Sequence, residues 1–430
     1  MKIQRSTLPA VLLVFLIGAS LNVFAANTTV GLCPGPGFHY TTIGAALLHT
    51  SVGGTVGICP GTYPEQVLVN FSVTLKGVAA SGTDAAVIVP PVGGLVPNTT
   101  DVDTGNPIAA QLLVQNTSGV SISNITVDGT GNGIAACSPD IQGILFQNAS
   151  GTLDHVAVRN QTPAPADGGC QIGEGIYVQT AAGFTSSLTV ENSSVHNYNK
   201  NGITGNDPNT TLIATGNYVQ GAGVVPVGGA AQNGIQLGFG ATGKINSNVV
   251  IDNIYGDATI AASADILLYD TAEDTAITVN SNTLGNSQLP IGLETDFAYG
   301  SGEYGDGVYV EGNKIMGTSV YDAIDLCTNG NIVTGNTIFN SAESGIHLDA
   351  SCGTYYSGPA TGNNNTVTGN TIVESACAGI LADPGTAGNT TTPDSYFTVP
   401  FTITSSTSSC TIPPRAALHG KALRKFSPAR

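Results

Sequence analysis

The feature that most constrains this chain is a repeat, and a search for such periods precedes any other reading of fold. An Asn flanked by β-branched or apolar residues recurs at Asn192, Asn217, Asn248, Asn282, Asn313, Asn336 and Asn370, and the hexapeptide Val-Thr-Gly-Asn-Thr-Ile stands at 333–338 and again at 367–372. A second mark is a small residue or Asp followed by an aliphatic, in Gly143-Ile144, Gly175-Ile176, Gly202-Ile203, Gly234-Ile235, Asp265-Ile266, Gly292-Leu293, Ala323-Ile324, Gly345-Ile346 and Gly379-Ile380. Its aliphatic members lie 22 to 34 residues apart. From each Asn to the next aliphatic mark the count is 10 or 11 residues in five cases and 18 in two, as when one corner of a coil tolerates insertions. Around both marks apolar and polar residues alternate with period two, the period of strands.

Each unit is too short to bury an apolar face alone, so units must stack. The expected fold is therefore all-β, a right-handed parallel β-helix whose coils lie about 4.8 Å apart and pile their aliphatics into one core. Asn suits the tight corner because it tolerates the left-handed conformation, and on successive coils its amides can form a ladder. A β-sandwich with Asn-rich turns is the rival, but its turns recur every 8–12 residues without a longer superperiod. The 56 Gly and absence of Trp argue against a helical globule.

The ends suggest caps for the open core. Residues 42–48 read as a short amphipathic helix within an N-terminal cap of about 38–80, and Phe397 to Ile403 as a last strand. Residues 1–25 have the parts of a secretory signal: Lys2 and Arg5, an apolar run from Val11 to Ile17, then compact Val23 and Ala25. The domain expected is thus 26–410, followed by a basic flexible tail at 411–430. No later stretch approaches the roughly 20 apolar residues that span a bilayer.

Eight cysteines, at 33, 59, 137, 170, 327, 352, 377 and 410, follow the signal and fit an oxidising compartment, secreted, periplasmic or at the cell surface. None forms a CxxC pair, so a zinc site has little support. Cys33 with Cys59 and Cys137 with Cys170 are the local pairings to expect, although sequence leaves connectivity open. The chain carries 29 acidic against 12 basic residues, and the body keeps only Lys76, Arg159, Lys200, Lys244 and Lys314. Nucleic acid and anionic membrane surfaces need basic patches and are excluded as partners of that body. An acidic polysaccharide is disfavoured for the same reason.

The opening run Pro60-Gly61-Thr62-Tyr63-Pro64-Glu65, with the repeated Gly-Ile and Gly-Asn-Thr-Ile marks, resembles the pectin-lyase-like superfamily and its right-handed β-helix repeat proteins over roughly residues 38–385. That resemblance implies the fold and a glycan as the class of partner. It does not choose an activity, because the superfamily holds lyases, hydrolases, esterases, epimerases and proteins with no known catalysis. The departures narrow the field. A pectin methylesterase would carry a Trp near its site, a pectate lyase needs several cations where this body has only Arg159 as arginine, and the Asn-Thr-Asp, Asp-Asp, Gly-His-Gly and Arg-Ile-Lys motifs of polygalacturonases are all missing.

With the second mark as register, the residue after each aliphatic and the one two further on should point outward. Successive coils then display Leu267 and Tyr269, Glu294 and Asp296, Asp325 and Cys327, His347 and Asp349, and Leu381 and Asp383. The resemblance puts this face, after the insertion-tolerant corner, in the position of the substrate cleft. Glu294, Asp325 and Asp349 are the candidate catalytic carboxylates, with His347 as proton carrier or orienting group. Stacked residues about 5 Å apart, and residues about 6.6 Å apart along a strand, bracket the spacings of glycosidase carboxylate pairs. The plain alternative is that an exposed face of an acidic chain collects carboxylates without purpose, or that they bind calcium. No cofactor is expected to be required, and calcium is the candidate ion. Asp101-Val102-Asp103 begins like a calcium loop, yet Leu112 stands where the Glu of position twelve belongs. Tyr299, Tyr304, Tyr309, Tyr321 and the pair Tyr355-Tyr356 are candidate sugar platforms or loop-packing aromatics.

The expected function is an exported, monomeric β-helix that binds or hydrolyses a neutral or weakly charged glycan on the exposed strand face. The alternative is a non-catalytic surface or adhesion module whose solenoid acts as a spacer.

Overall fold

The computed structural model describes residues 27–405 apart from 35–36, 79–82, 165–168, 259–260, 274–276, 296–304, 319, 353–359 and 393. The leader expected at 1–25 and the tail at 411–430 lie outside the described residues.

Three long sheets of 13, 12 and 13 strands run the length of the molecule, and consecutive strands of the chain enter the three sheets in turn. Thr210–Thr215, Tyr218–Val225 and Asn233–Gly238 make one such coil, and Thr242–Asn246 returns to pair in parallel with Thr210–Thr215. Among the described residues every pairing between coils is parallel, and the one antiparallel pair, Thr99–Thr100 on Pro107–Ile108, is a local hairpin. The architecture is a right-handed parallel β-helix, the hand that parallel crossovers take.

Stacking of like on like explains why these sequences form it. In the third sheet Ile144, Ile176, Ile203, Ile235, Ile266, Ile291, Ile324, Ile346 and Ile380 lie in register, each beside the next. All nine are fully buried and belong to one core cluster that also takes Val219, Val250 and Ile315 of the second sheet and Val279, Val310 and Val333 of the first. β-branched side chains suit such a column because few rotamers are lost when they stack on a pleated surface. One column member differs from expectation. Ile291, not Leu293, holds the core position, so the mark at Gly292-Leu293 is displaced by two residues. Both side chains face inward, and a period of two cannot say which of them is level with Ile324.

The Asn corners are two residues long. Gly216, Ser247, Ser281, Gly312, Gly335 and Gly369 take the left-handed conformation, and the Asn that follows each turns inward. Asn217, Asn248, Asn282, Asn313, Asn336 and Asn370 form an unbroken ladder in which each Nδ2 donates to the Oδ1 of the next at 2.9–3.0 Å, and Asn370 ends it on Asp394. Asn192 departs from the expected role: it occupies the left-handed position itself, and Ser193 stands in the ladder slot beside Asn217. A second, shorter ladder runs through Asn331 and Asn365 at the corner before the first sheet.

Near the N-terminal end a six-residue helix, Ile43–Leu48, packs Ile43, Ala46 and Leu47 into the core cluster. Thr42 caps it by accepting from the Ala45 N–H, and Glu65 accepts from the Ile43 and Gly44 N–H groups at 2.7 and 3.0 Å. Disulfides join Cys33 to Cys59, Cys137 to Cys170 and Cys327 to Cys352. The first two are the pairs expected from proximity. Cys377 is bonded as well.

Candidate functional site

The outer face of the third sheet is not the open surface expected. Its strands Asn233–Gly238, Ala264–Tyr269 and Leu289–Glu294 are buried at every residue, whereas Ser186–Glu191 of the first sheet alternates buried and exposed. Segments leaving the coils fold back over this face. The hairpin at 99–108 docks there through Gln147 Nε2, which donates to Thr100 O at 2.7 Å. Farther along, Cys352 is disulfide-bonded to Cys327, and Thr361 Oγ1 donates to Asp349 O at 2.9 Å.

Beneath this second covering lie the residues singled out from sequence. Register places Gly292, Asp325 and His347 in one row. Two residues on, Glu294, Cys327 and Asp349 follow in the next. Glu294 therefore faces the disulfide, with Cys352 Sγ 3.6 Å from its Oε2, rather than pairing level with Asp325 as expected. The two-residue displacement at Ile291 is the cause. Asp325, His347 and Asp349 do come together. His347 Nδ1 lies 3.3 Å from Asp325 Oδ1, 3.4 Å from Asp322 Oδ2 and 3.7 Å from Asp349 Oδ2, and its Nε2 lies 3.1 Å from Asp383 Oδ1. Both ring nitrogens thus face carboxylate oxygens, an arrangement that the two donors of an imidazolium satisfy.

Asp322 was missed because only residues after each aliphatic were counted outward; it precedes Ile324 by two in Asp322-Ala323-Ile324. Its Oδ1 is fixed by the Ser344 N–H at 2.9 Å. Asp383 is held by Ala350 N–H, which donates to its Oδ2 at 3.3 Å. Asp383, with a side chain 22% exposed, is the wet edge of a cluster whose other side chains are at most 1% exposed. Asp296, Tyr299, Tyr304, Tyr355 and Tyr356 lie outside the described residues. Tyr309 stands on the first sheet, away from this face, and Tyr321 is buried with its hydroxyl on Ala258 O.

Electrostatics single out Asp325. Burial, followed by repulsion from Asp349, raises its pKa to about 7, against the pull of the His347 ring. Among the described residues neither Asp325 oxygen finds a well-formed hydrogen bond, although both are buried. The nearest oxygens of Asp325 and Asp349 are within 4.8 Å of each other. Asp322, Asp325 and His347 also bring one ligand atom each within 4.8 Å of the others, so this group has the donors to receive a divalent cation. The Asp101 turn is of another kind: Asp101 Oδ1 accepts from Asp103 N, Thr104 N and Thr104 Oγ1 at 2.8–3.1 Å, so its charge is met within the turn.

A coiled scaffold of three parallel sheets defines the class: the chain has the pectin-lyase-like right-handed parallel β-helix fold. Among solved structures it is similar to the catalytic domain of a GH87 alpha-1,3-glucanase in complex with nigerose, at 13% identity over 84% of this chain and 66% of that one, with a TM-score of 0.51. It is similar also to the Azotobacter vinelandii mannuronan C-5 epimerase AlgE4 A-module, at 16% identity over 84% of this chain and 91% of that one, with a TM-score of 0.45. No family model matches the chain, and no curated protein sequence matches it. Likeness at this level of identity shows the fold alone. Among the described residues no helix is long and apolar enough to cross a membrane.

Proposed function

We propose that this is an exported glycan-acting β-helix that hydrolyses a glycosidic bond at the Asp325, His347 and Asp349 cluster. The observation that carries the reading is Asp325, raised to about 7 by burial and by Asp349 beside it. A carboxyl that keeps its proton toward neutral pH is the acid that glycoside cleavage needs, and a second carboxyl beside it is in place to act as the counter-group. The two carboxyls approach within 4.8 Å at their nearest oxygens, which favours the close spacing of retaining pairs, about 5–5.5 Å, over the 6.5–9.5 Å of inverting ones. The reading is therefore a retaining reaction, with Asp325 as acid and base, Asp349 as nucleophile and His347 holding both by its ring nitrogen. The glucanase domain with bound nigerose supports the scaffold as a glycan platform. The acidic body favours a neutral glycan.

The test is release of reducing ends from a panel of neutral polysaccharides, with the anomer of the first product read by proton NMR. Asp325→Asn and Asp349→Asn should each lower turnover by about a thousandfold or more. Asp349→Gly should regain activity with azide, which can take the nucleophile's place. An inverted product, or wild-type rates in both Asn variants, defeats the assignment.

A second reading has its own support: His347, Asp322, Asp325 and Asp349 are almost wholly buried. A buried charge cluster can serve as a structural pin in a non-catalytic surface module. In that case the same variants lower stability and no polysaccharide is cleaved by the wild type.

A further inference from the structure

A second ionisable centre lies on the same face, six to seven strand steps toward the N-terminus, or about 29–34 Å from His347. A cavity of about 500 Å³ opens there between the hairpin at 99–108, the Cys137–Cys170 disulfide and Gln171. That volume falls within the range of small-ligand sites. At its inner wall Asp140 is held by the Gly173 N–H and by Gln142 Nε2, each at 3.0 Å. Behind it stands Glu174, nine-tenths buried and hydrogen-bonded to Asp140, and behind Glu174 lies Lys200, whose Nζ donates to Ala231 O at 2.8 Å.

The polar inventory of this centre is unbalanced in one direction. Among the described residues Gln171 Oε1, on the lining, is a buried acceptor with no donor, and so are Gln142 Oε1 and Glu174 Oε2 behind the Asp140 wall. Buried acceptors without donors are costly, so a ligand that brings donors gains on binding. Thr104, Asn106 and Ser138 add hydrogen-bonding groups to the lining, and Ile108 and Ile172 add apolar surface. Among the described residues no Lys, Arg or His lines the cavity to neutralise an anion. Hydroxyl donors alternating with C–H faces, without negative charge, describe a neutral sugar.

We propose that this cavity is a second saccharide site, in which Asp140 and Gln171 receive sugar hydroxyls, and that it works independently of any chemistry at His347. Burial raises both carboxyl pKa values, with repulsion from Asp140 adding to the rise at Glu174, and burial lowers that of Lys200 to about 7, consistent with a carboxyl pair that shares a proton and can both give and accept a hydrogen bond. The face would then hold one glycan at two points, or two glycans.

The test is titration calorimetry of the full chain carrying Asp325→Asn, so that no turnover competes, against di- to hexasaccharides of glucose, mannose, galactose, xylose and N-acetylglucosamine. At least one series should bind, and adding Gln171→Trp, which fills the cavity from its half-buried rim, should weaken one class of site by about tenfold or more. Asp140→Asn should do the same, and the circular dichroism and melting of the Gln171→Trp protein should match its parent. Unchanged binding in Gln171→Trp overturns the proposal, as does the absence of binding by every saccharide up to about 10 mM. Loss of glycan cleavage in the Asp325→Asn parent leaves this outcome untouched, so the two readings fail separately.

Discussion

Asp325 answers to burial and to Asp349 at once, and its titration should show in stability. Its folded pKa of about 7 is above the ordinary 3.8, so between those values the folded chain holds a proton that the unfolded chain has lost. Stability from this group is complete below about pH 4 and declines as pH rises to about 7. Asn cannot ionise and escapes the decline. Calorimetric melting of Asp325→Asn relative to wild type should therefore shift upward from pH 4 to pH 8, and an unchanged difference would contradict the assigned pKa. The Asn ladder gives a contrast at the same scale. Asn313 Oδ1 accepts from the Asn282 N–H and side-chain amide, while its Nδ2 donates to Val279 O and Asn336 Oδ1, all at 2.9 Å. Asn313→Ala strands these buried partners and should cost about 2–4 kcal/mol in urea unfolding. Asn192→Ala loses one exposed bond to Asp154 and some left-handed preference, and should cost about half of that or less.

Strands position the cluster, but the segment beyond the strand Ser344–Leu348 closes it. Cys352 belongs to that segment and is tied to Cys327 across 25 residues, beside Glu294. Replacing both cysteines by Ser should cost about 3 kcal/mol by the loop-entropy account and loosen the cover over Asp349. Activity should fall with stability, and hydrogen exchange at 344–352 should rise; exchange confined to other elements would show that the bridge does not hold this cover. Fold and site differ here in how far sequence reveals them. The Ile column and Asn corners are local patterns repeated many times, so one slip at Leu293 left the architecture intact. The site draws on single residues. Asp325, His347 and Asp349 were legible because they follow core aliphatics on adjacent coils, yet Asp322 approaches from the preceding corner and carries no periodic mark. Burial of the whole face was not legible, because it depends on where the irregular stretches at 99–108, 349–352 and 360–362 lie, and no repeat encodes a return path.

Across the whole molecule, residues 26–410 set 29 carboxyls against five cations, two of which, Lys200 and Arg159, are already engaged with acids. A long solenoid with that balance presents negative potential along its length, and a polymer lying on it feels the sum rather than any one pair. Neutral glucans, mannans or xylans meet no such barrier, whereas polygalacturonate or alginate must approach against it. The consequence is a salt dependence of a particular sign. Raising ionic strength from about 0.01 to 0.1 M shortens the screening length from about 30 to about 10 Å, which relieves long-range repulsion and leaves direct hydrogen bonds in place. Affinity gels at both ionic strengths should show retardation by neutral polymers that is unchanged by salt. Retardation by uronate polymers should be weak at low salt and stronger when salt is added. Uronate binding that is strongest at low salt would mean that the faces in contact carry positive charge, which the distribution of Lys and Arg along this chain does not provide.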